Sequence, residues 1–276
     1  TTGVANPYLL LEPSRTNLIE QSEYFNTYWN YSNSNTTSNS TTSPDGNLNA
    51  SLFESSGAAG YMYPSTGIFA SASNGTFTYS IYAKEGNTDS FAILLATGGV
   101  TYRGDFNLTS VEATTSSANT IVDISNVGNG WYRCLVTASS VASSAYAELQ
   151  IGRISSGSNL YFYGAQLEAG SYATSYIPTY SVSATRAGDA MNNSSLGLTD
   201  CTFFVDFVPL SSIMGLLDFY NNSNARAFYV AFSSIRFITF NSVLGGTIGN
   251  VGPQFNVGET IKLAFTLNAS TGDVTI

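Results

Sequence analysis

The chain has 276 residues, of which 43% are hydrophobic, 13% aromatic and only 10% charged, with a formal net charge of −9. That length holds one large or two smaller domains with real cores, and the charge balance argues against nucleic acid, whose phosphates call for lysine and arginine. Histidine is absent, which excludes Ser-His-Asp and Cys-His catalysis and any histidine-ligated metal.

The charged fraction lies well below the roughly 25% usual for soluble domains, so the polar surface must be serine, threonine, asparagine and glycine. These residues favour turns and strand faces over helices. The chain starts at Thr1 without a methionine and reads as a piece of a longer polypeptide. No secretion signal is visible, and no apolar run approaches the ~20 residues of a membrane span, so membrane insertion is not expected.

Residues 1–15 read as an N-terminal connecting segment. Arg15 stands among few charges, and an ion pair with Glu12 or Glu168 is its expected partnership. Residues 30–46, dense in serine, threonine and asparagine, read as an exposed loop or edge strand. Thr76 to Lys84 alternates, with Phe77, Tyr79, Ile81 and Ala83 on one face and Thr78, Ser80 and Tyr82 on the other. A strand over Phe91 to Ala96 follows the turn Glu85-Gly86-Asn87. Strands over Thr120 to Ile124 and Trp131 to Ala138 flank Gly128-Asn129-Gly130, a hairpin-type connection. Ala145 to Gly152 alternates again, as does Leu160 to Thr179, which breaks at Gly164, turns at Gly170 and stops at Pro178. Residues 181–198 lack strand periodicity and mark a domain boundary. A second series of strands begins at Cys201 and ends in a hairpin that stops inside its second strand. No amphipathic helix of ten or more residues is visible. Short strands at this spacing predict an all-β chain of two tandem β-sandwich (jelly-roll) domains. The boundaries fall at 16–184 for the first sandwich, 185–199 for a linker and 200–276 for the second. Cys134 and Cys201 are expected as two buried free thiols rather than a bridge.

Several segments resemble one family. They are LLLEPSRTNLIEQSEYFNTYW from Leu9 to Trp29, SPDGNLNA from Ser43 to Ala50, the Y-A-K-x-G ending of Thr76 to Gly86, the F-x-L-x-x-V hairpin of Arg103 to Val111, the G-W-Y-R strand within Val127 to Thr137, and Leu160 to Thr185. In this order they are similar to a jelly-roll module, itself like carbohydrate-binding modules, that bacteriophage tail-fibre and other virion proteins carry. The part after Asp189, mainly GETIKLAFTLNASTGDVTI, resembles a concanavalin A-like (laminin G-like) sandwich. The resemblance implies a virion location, a host-surface glycan and other virion proteins as partners, and a homotrimeric fibre. Fold alone does not fix function.

For catalysis, a sandwich glycosidase needs two carboxyl groups facing each other across the scissile bond. No E-x-D or D-x-E pair occurs on one strand face. Asp206 and Asp218, on separate strands, are the one pair that could meet, so the chain reads as non-enzymatic, with a polysaccharide-degrading enzyme as an alternative. Glycan binding needs aromatic faces beside amides and carboxylates. Alternation directs Tyr82, Tyr146, Glu148, Gln150, Tyr161 and Tyr163 away from the core, and Arg103 and Gln166 complete the set. The competing reading is that these tyrosines cover the outer sheet or meet another subunit, as in a purely structural spacer or decoration module. Trp29 and Trp131 are assigned to core packing. For calcium, Glu23, Glu54 and Glu168 are the candidate ligands, although no D-x-D-x-D-G loop exists. Arg103-Gly104-Asp105 spells an integrin-type tripeptide, but inside a family-matching hairpin it reads as a chance match.

Overall fold

The computed structural model describes residues 12–65, 75–97, 99–141 and 147–189 and, beyond them, 201–207, 214–220, 226–232, 238–242, 246–250, 259–267 and 274–275. The chain forms two compact units, Thr1–Met191 and Asn192–Ile276. Both are all-β, and no helix occurs among the described residues.

In the first unit the strands run β1 (Arg15–Asn17), β2 (Trp29–Ser32), β3 (Ser34–Thr41), β4 (Ala50–Ser55), β5 (Gly60–Pro64), β6 (Gly75–Glu85) and β7 (Ser90–Thr97). They continue as β8 (Val100–Asn107), β9 (Glu112–Thr114), β10 (Thr120–Gly128), β11 (Trp131–Val141), β12 (Ala147–Ile154), β13 (Asn159–Ala169) and β14 (Ala184–Arg186). Two six-stranded antiparallel sheets result, ordered β10-β11-β6-β13-β4-β3 and β2-β5-β12-β7-β8-β9, with β1 and β14 as a separate pair. From β4 to β7, and again from β11 to β13, each strand joins the sheet opposite to that of its predecessor. The polar stretch 30–46 thus supplies β2, the edge strand β3 and the turn beyond it.

The core lies between the sheets. Phe77, Tyr79, Ile81 and Ala83 of β6 point into it, as their alternation predicts, and meet Phe91, Ile93 and Leu95 of β7 and Leu160, Phe162, Ala165 and Leu167 of β13. Phe53 and Phe162, both fully buried, lie with ring centroids 5.7 Å apart. Burying each such ring contributes about 1.5–3 kcal/mol. Trp29 is in this core, its indole N–H donating to the Gln21 carbonyl at 2.9 Å. Cys134 is a buried free thiol whose pKa burial pushes up; Cys201 lies in a strand whose side chains are not described.

β6 departs from simple alternation because its second face is buried as well. Thr78 and Ser80 are nearly inaccessible, since residues 172–177 fold back across the outside of β13, β6 and β11. Alternation of β13 also slips: the register shifts between Tyr163 and Gln166, where Gly164 takes φ +63°. A side chain at Gly164 would meet Tyr82 and Tyr176 at 3.0 and 3.2 Å. Asn17 spans that bulge. Its amide donates to the Ala165 and Ile177 carbonyls, and its Oδ1 accepts from the Leu167 and Ile19 N–H groups, at 2.9–3.1 Å.

The sequence places residues 185–189 in a linker; the structure holds them on the first unit. Thr185 and Arg186 lie in β14 opposite β1. The Asp189 N–H donates to the Glu12 carbonyl at 2.8 Å and Asp189 Oδ2 accepts from the Glu12 N–H at 3.0 Å. The ion pair expected of Arg15 is likewise corrected. Glu12 pairs with Arg186 at 2.5 Å, and Arg15 lies over the Tyr172 ring at 5.3 Å, the Glu168 carboxylate being taken by other donors.

The second unit comprises β15 (Cys201–Phe207), β16 (Met214–Tyr220), β17 (Arg226–Phe232), β18 (Ile238–Ser242), β19 (Gly246–Asn250), β20 (Ile261–Leu267) and β21 (Val274–Thr275). β16 to β19 form a four-stranded meander, and β15-β20-β21 form a second antiparallel sheet. Asp206 and Asp218 fall in different sheets, opposite Lys262 and Tyr229.

Candidate ligand-binding face

The eight sequence-selected residues do not converge on one site. Tyr82, Tyr161, Tyr163 and Gln166 share the outer face of the first sheet, where Tyr163 pairs with Tyr82 and Gln166 with Ser80. Arg103 and Gln150 belong to the second sheet, each in register with Leu94 of β7. Glu148 stands two residues before Gln150 on β12, opposite Ala96, but its side chain is not described; Tyr146 lies outside the described residues.

On the first sheet alternation gives the direction correctly, but the face is roofed. Tyr163 is only 3% exposed, packed with Trp131 and Ala50 beneath Tyr82, Tyr161 and Tyr176. Gln166 is fully buried: its Oε1 accepts from the Ile177 N–H, and its amide donates to Glu168 Oε2 at 2.7 Å. The Arg133 guanidinium lies 5.5 Å from the Tyr82 ring and donates to the Thr174 carbonyl at 2.7 Å. Tyr163 and Gln166 are therefore corrected from ligand-facing to structural, because the alternating stretch read over Leu160 to Thr179 is a strand only to Ala169 and residues 172–177 fold back over their face. Trp131 is spent there too, its indole N–H bonded to the Thr42 carbonyl.

The three proposed calcium ligands do not form one site, and no cluster of three metal-ligating side chains occurs among the described residues. Glu168 is fully buried and accepts from the Thr174 N–H and hydroxyl and from Gln166. Glu54 is on β4 opposite Asn159 and Asn35. Glu23 Oε1 receives three tyrosine hydroxyls, from Tyr163 and Tyr176 at 3.2 Å and Tyr180 at 3.4 Å. Tyr163 also reaches Asp45 Oδ2 at 2.9 Å. Burial, with the neighbouring Asp45 and Glu23 carboxylates, raises the Tyr163 pKa far above the ordinary phenol value, so its hydroxyl remains a proton donor.

The outer face of the second sheet carries no such roof among the described residues. A groove of about 370 Å³ opens on it, lined by side chains of β7, β8, β9 and the end of β12. Gly152, Ala92, Asp105 and Thr114 stand in one row across β12, β7, β8 and β9. Tyr61 of β5 continues that row beyond Gly152. The small residues Gly152 and Ala92 thus form a floor between Tyr61 and the Arg103–Asp105 pair. Tyr61 and Tyr63 are half-buried, on the side of β5 opposite the core residue Met62, with ring centroids 6.0 Å apart.

Arg103 Nε donates to both Asp105 carboxylate oxygens, at 2.9 and 2.8 Å. This raises the pKa of the guanidinium, against the opposing effect of burial. The Arg-Gly-Asp tripeptide is thereby closed on itself along one strand face. Arg153 lines the groove, donates to Gln150 Oε1 at 2.7 Å and lies 5.5 Å from the centre of the Tyr61 ring. Half-exposed rings beside guanidinium, amide and carboxylate groups can stack on a sugar ring and bond its hydroxyls. Of this set, sequence reasoning selected Arg103 and Gln150. It missed Tyr61 and Tyr63, for which the alternation of Gly60–Pro64 was an available signal, and Arg153, for which none existed.

No protein-family model and no curated protein matches the chain. Among solved structures, two from the Clostridium thermocellum xylanase 10B are similar to it. One is the N-terminal CBM22-1–GH10 modules complexed with xylohexaose: TM-score 0.37, 14% identity, covering 61% of this chain and 30% of that one. The other is the C-terminal family 22 carbohydrate-binding module: TM-score 0.37, 12% identity, covering 62% of this chain and 98% of that one. This chain thus spans less than a third of the xylanase structure. A likeness at this score leaves the ligand to be argued from the chain's own side chains.

Proposed function

We propose that the chain is a non-catalytic glycan-binding module of a phage virion, carried on a tail or head fibre and engaging a host-surface polysaccharide. The observation that carries the binding part is the groove on the outer face of the second sheet, lined by Arg103, Asp105 and Arg153, with Tyr61 and Gln150 held against Arg153 and Tyr63 beside Tyr61. The virion part is supported by the ordered sequence segments from Leu9 to about Asp189. Each site works by stacking and hydrogen bonding of modest strength, multiplied by repeated copies on a homotrimeric fibre.

The test is a glycan array, with host-envelope polysaccharide alongside, probed with the intact chain and with Tyr61→Ala. Binding that weakens at least about tenfold in the variant supports the reading, since a stacking platform contributes on the order of 1–2 kcal/mol. A chain that binds no glycan, with Tyr61 and Tyr63 buried against another virion protein, overturns it in favour of a spacer or decoration module.

A further inference from the structure

We propose that the groove takes a glycan bearing carboxylate groups, such as a uronic- or sialic-acid polysaccharide, and that Arg153 is the residue that binds the carboxylate. The inference rests on the glycan-binding reading above and names its ligand class.

The groove's other charges have partners of their own. Arg103 is locked to Asp105 through both carboxylate oxygens. Glu112 accepts from Ser110 Oγ at 3.0 Å. It lies on β9, three strands from β12 in the order β12-β7-β8-β9. At about 4.8 Å per strand this is about 14 Å from the strand of Arg153. Among the described residues Arg153 is in no ion pair, the pairs there being Arg103–Asp105 and Arg186–Glu12. Its hydrogen bond goes to the neutral Gln150 amide and its flat face rests over Tyr61. A guanidinium has five N–H donors in a planar fork that matches a carboxylate, and here one is occupied.

The backbone holds Arg153 in this pose at a cost. Its φ is +55°, directly after Gly152 at +111°. The left-handed region disfavours a residue with a Cβ. Arg153 is the residue that the β5 ladder skips, the register passing from Gly152 to Ile154 in a bulge. A bulge re-aims a side chain; this one delivers a cation to the groove wall that otherwise carries Ser155, Ser158 and Thr88. Tyr61 and Gln150 hold the guanidinium ready, so little side-chain freedom is lost on binding.

The experiment is a glycan array carrying uronic- and sialic-acid glycans beside neutral ones and carboxyl-reduced forms of the acidic ones, probed with the intact chain, Arg153→Gln and Tyr61→Ala. The proposal expects binding at least tenfold stronger to carboxylate glycans than to their reduced forms, and loss of that preference in R153Q. Arg153→Gly, which relieves the left-handed backbone, gives the same readout if the glutamine variant fails to fold. Binding confined to neutral glycans and abolished by Tyr61→Ala, or an acidic preference that survives in both Arg153 variants, overturns this inference while sparing the glycan reading. Binding to no glycan at all overturns both.

Discussion

Asn17 shows how much of the first unit hangs on single polar side chains. Fully buried, it makes four hydrogen bonds, one to the Ile19 N–H and three that tie the entry segment to Ala165 and Leu167 of β13 and to Ile177. Leaving buried backbone groups unpaired costs ~1–3 kcal/mol each. Asn17→Ala is therefore expected to lower stability by about 3 kcal/mol or more, read as a drop in the denaturant midpoint; a change under about 0.5 kcal/mol would contradict the assignment. Asp45 is the second such residue. Burial works against its charge, but hydrogen bonds from Ser43 Oγ, the Asn47 N–H, the Tyr163 hydroxyl and Asn49 Nδ2 outweigh it and hold its pKa far below the ordinary carboxylate value. A depressed folded pKa means a stabilisation present above the unfolded value of about 3.9 and lost as pH falls through the folded one. Stability should decline below about pH 4, and Asp45→Asn should flatten that limb, as followed by thermal unfolding between pH 2 and 5. The motif segments Arg15 to Leu18 and Ser43 to Gly46 were visible in the sequence. That their Asn and Asp tie in remote strands was not, because Ala165, Leu167 and Ile177 for Asn17 and Tyr163 for Asp45 lie more than a hundred residues away.

At the scale of elements, alternation located the core faces of β6 and of the first half of β13 correctly, since a two-residue period fixes which side chains point inward. It could not reveal that the opposite face of the first sheet is also buried. The covering residues, 172–177, lie beyond the end of β13 and are held by hydrogen bonds that Glu168 and Gln166 accept and Arg133 donates. Tyr163 and Gln166 were thus placed on the right face and given the wrong task. The second sheet's outer face was half legible: Gln150 by alternation, Arg103 as a polar complement to the tyrosines, Arg153 not at all, because a bulge resets the phase of the strand. That bulge requires its glycine. A Cβ on residue 152 would sit 2.7 Å from the Phe53 ring and 3.0 Å from the Gly60 carbonyl oxygen, at φ +111°. Gly152→Ala is expected to cost about 1–3 kcal/mol in stability and to weaken glycan binding by misplacing Arg153. Wild-type stability and binding in that variant would contradict the role given to the bulge.

For the whole molecule, the all-β class follows from composition and is what both units adopt, and the chain's units divide at Met191/Asn192, beyond β14. The two outer faces of the first unit are unlike: one is closed by residues 172–177, while the other carries no such cover among the described residues and opens a groove. Low charge suits that arrangement, because a groove whose acids are already partnered offers hydrogen bonds without strong long-range steering. The most direct test is hydroxyl-radical footprinting of the intact chain with and without a glycan found to bind it. The account predicts that the glycan protects Tyr61 and Tyr63 while Tyr82 and Tyr161 are unchanged. Protection of Tyr82 and Tyr161 with Tyr61 and Tyr63 unaffected would contradict it.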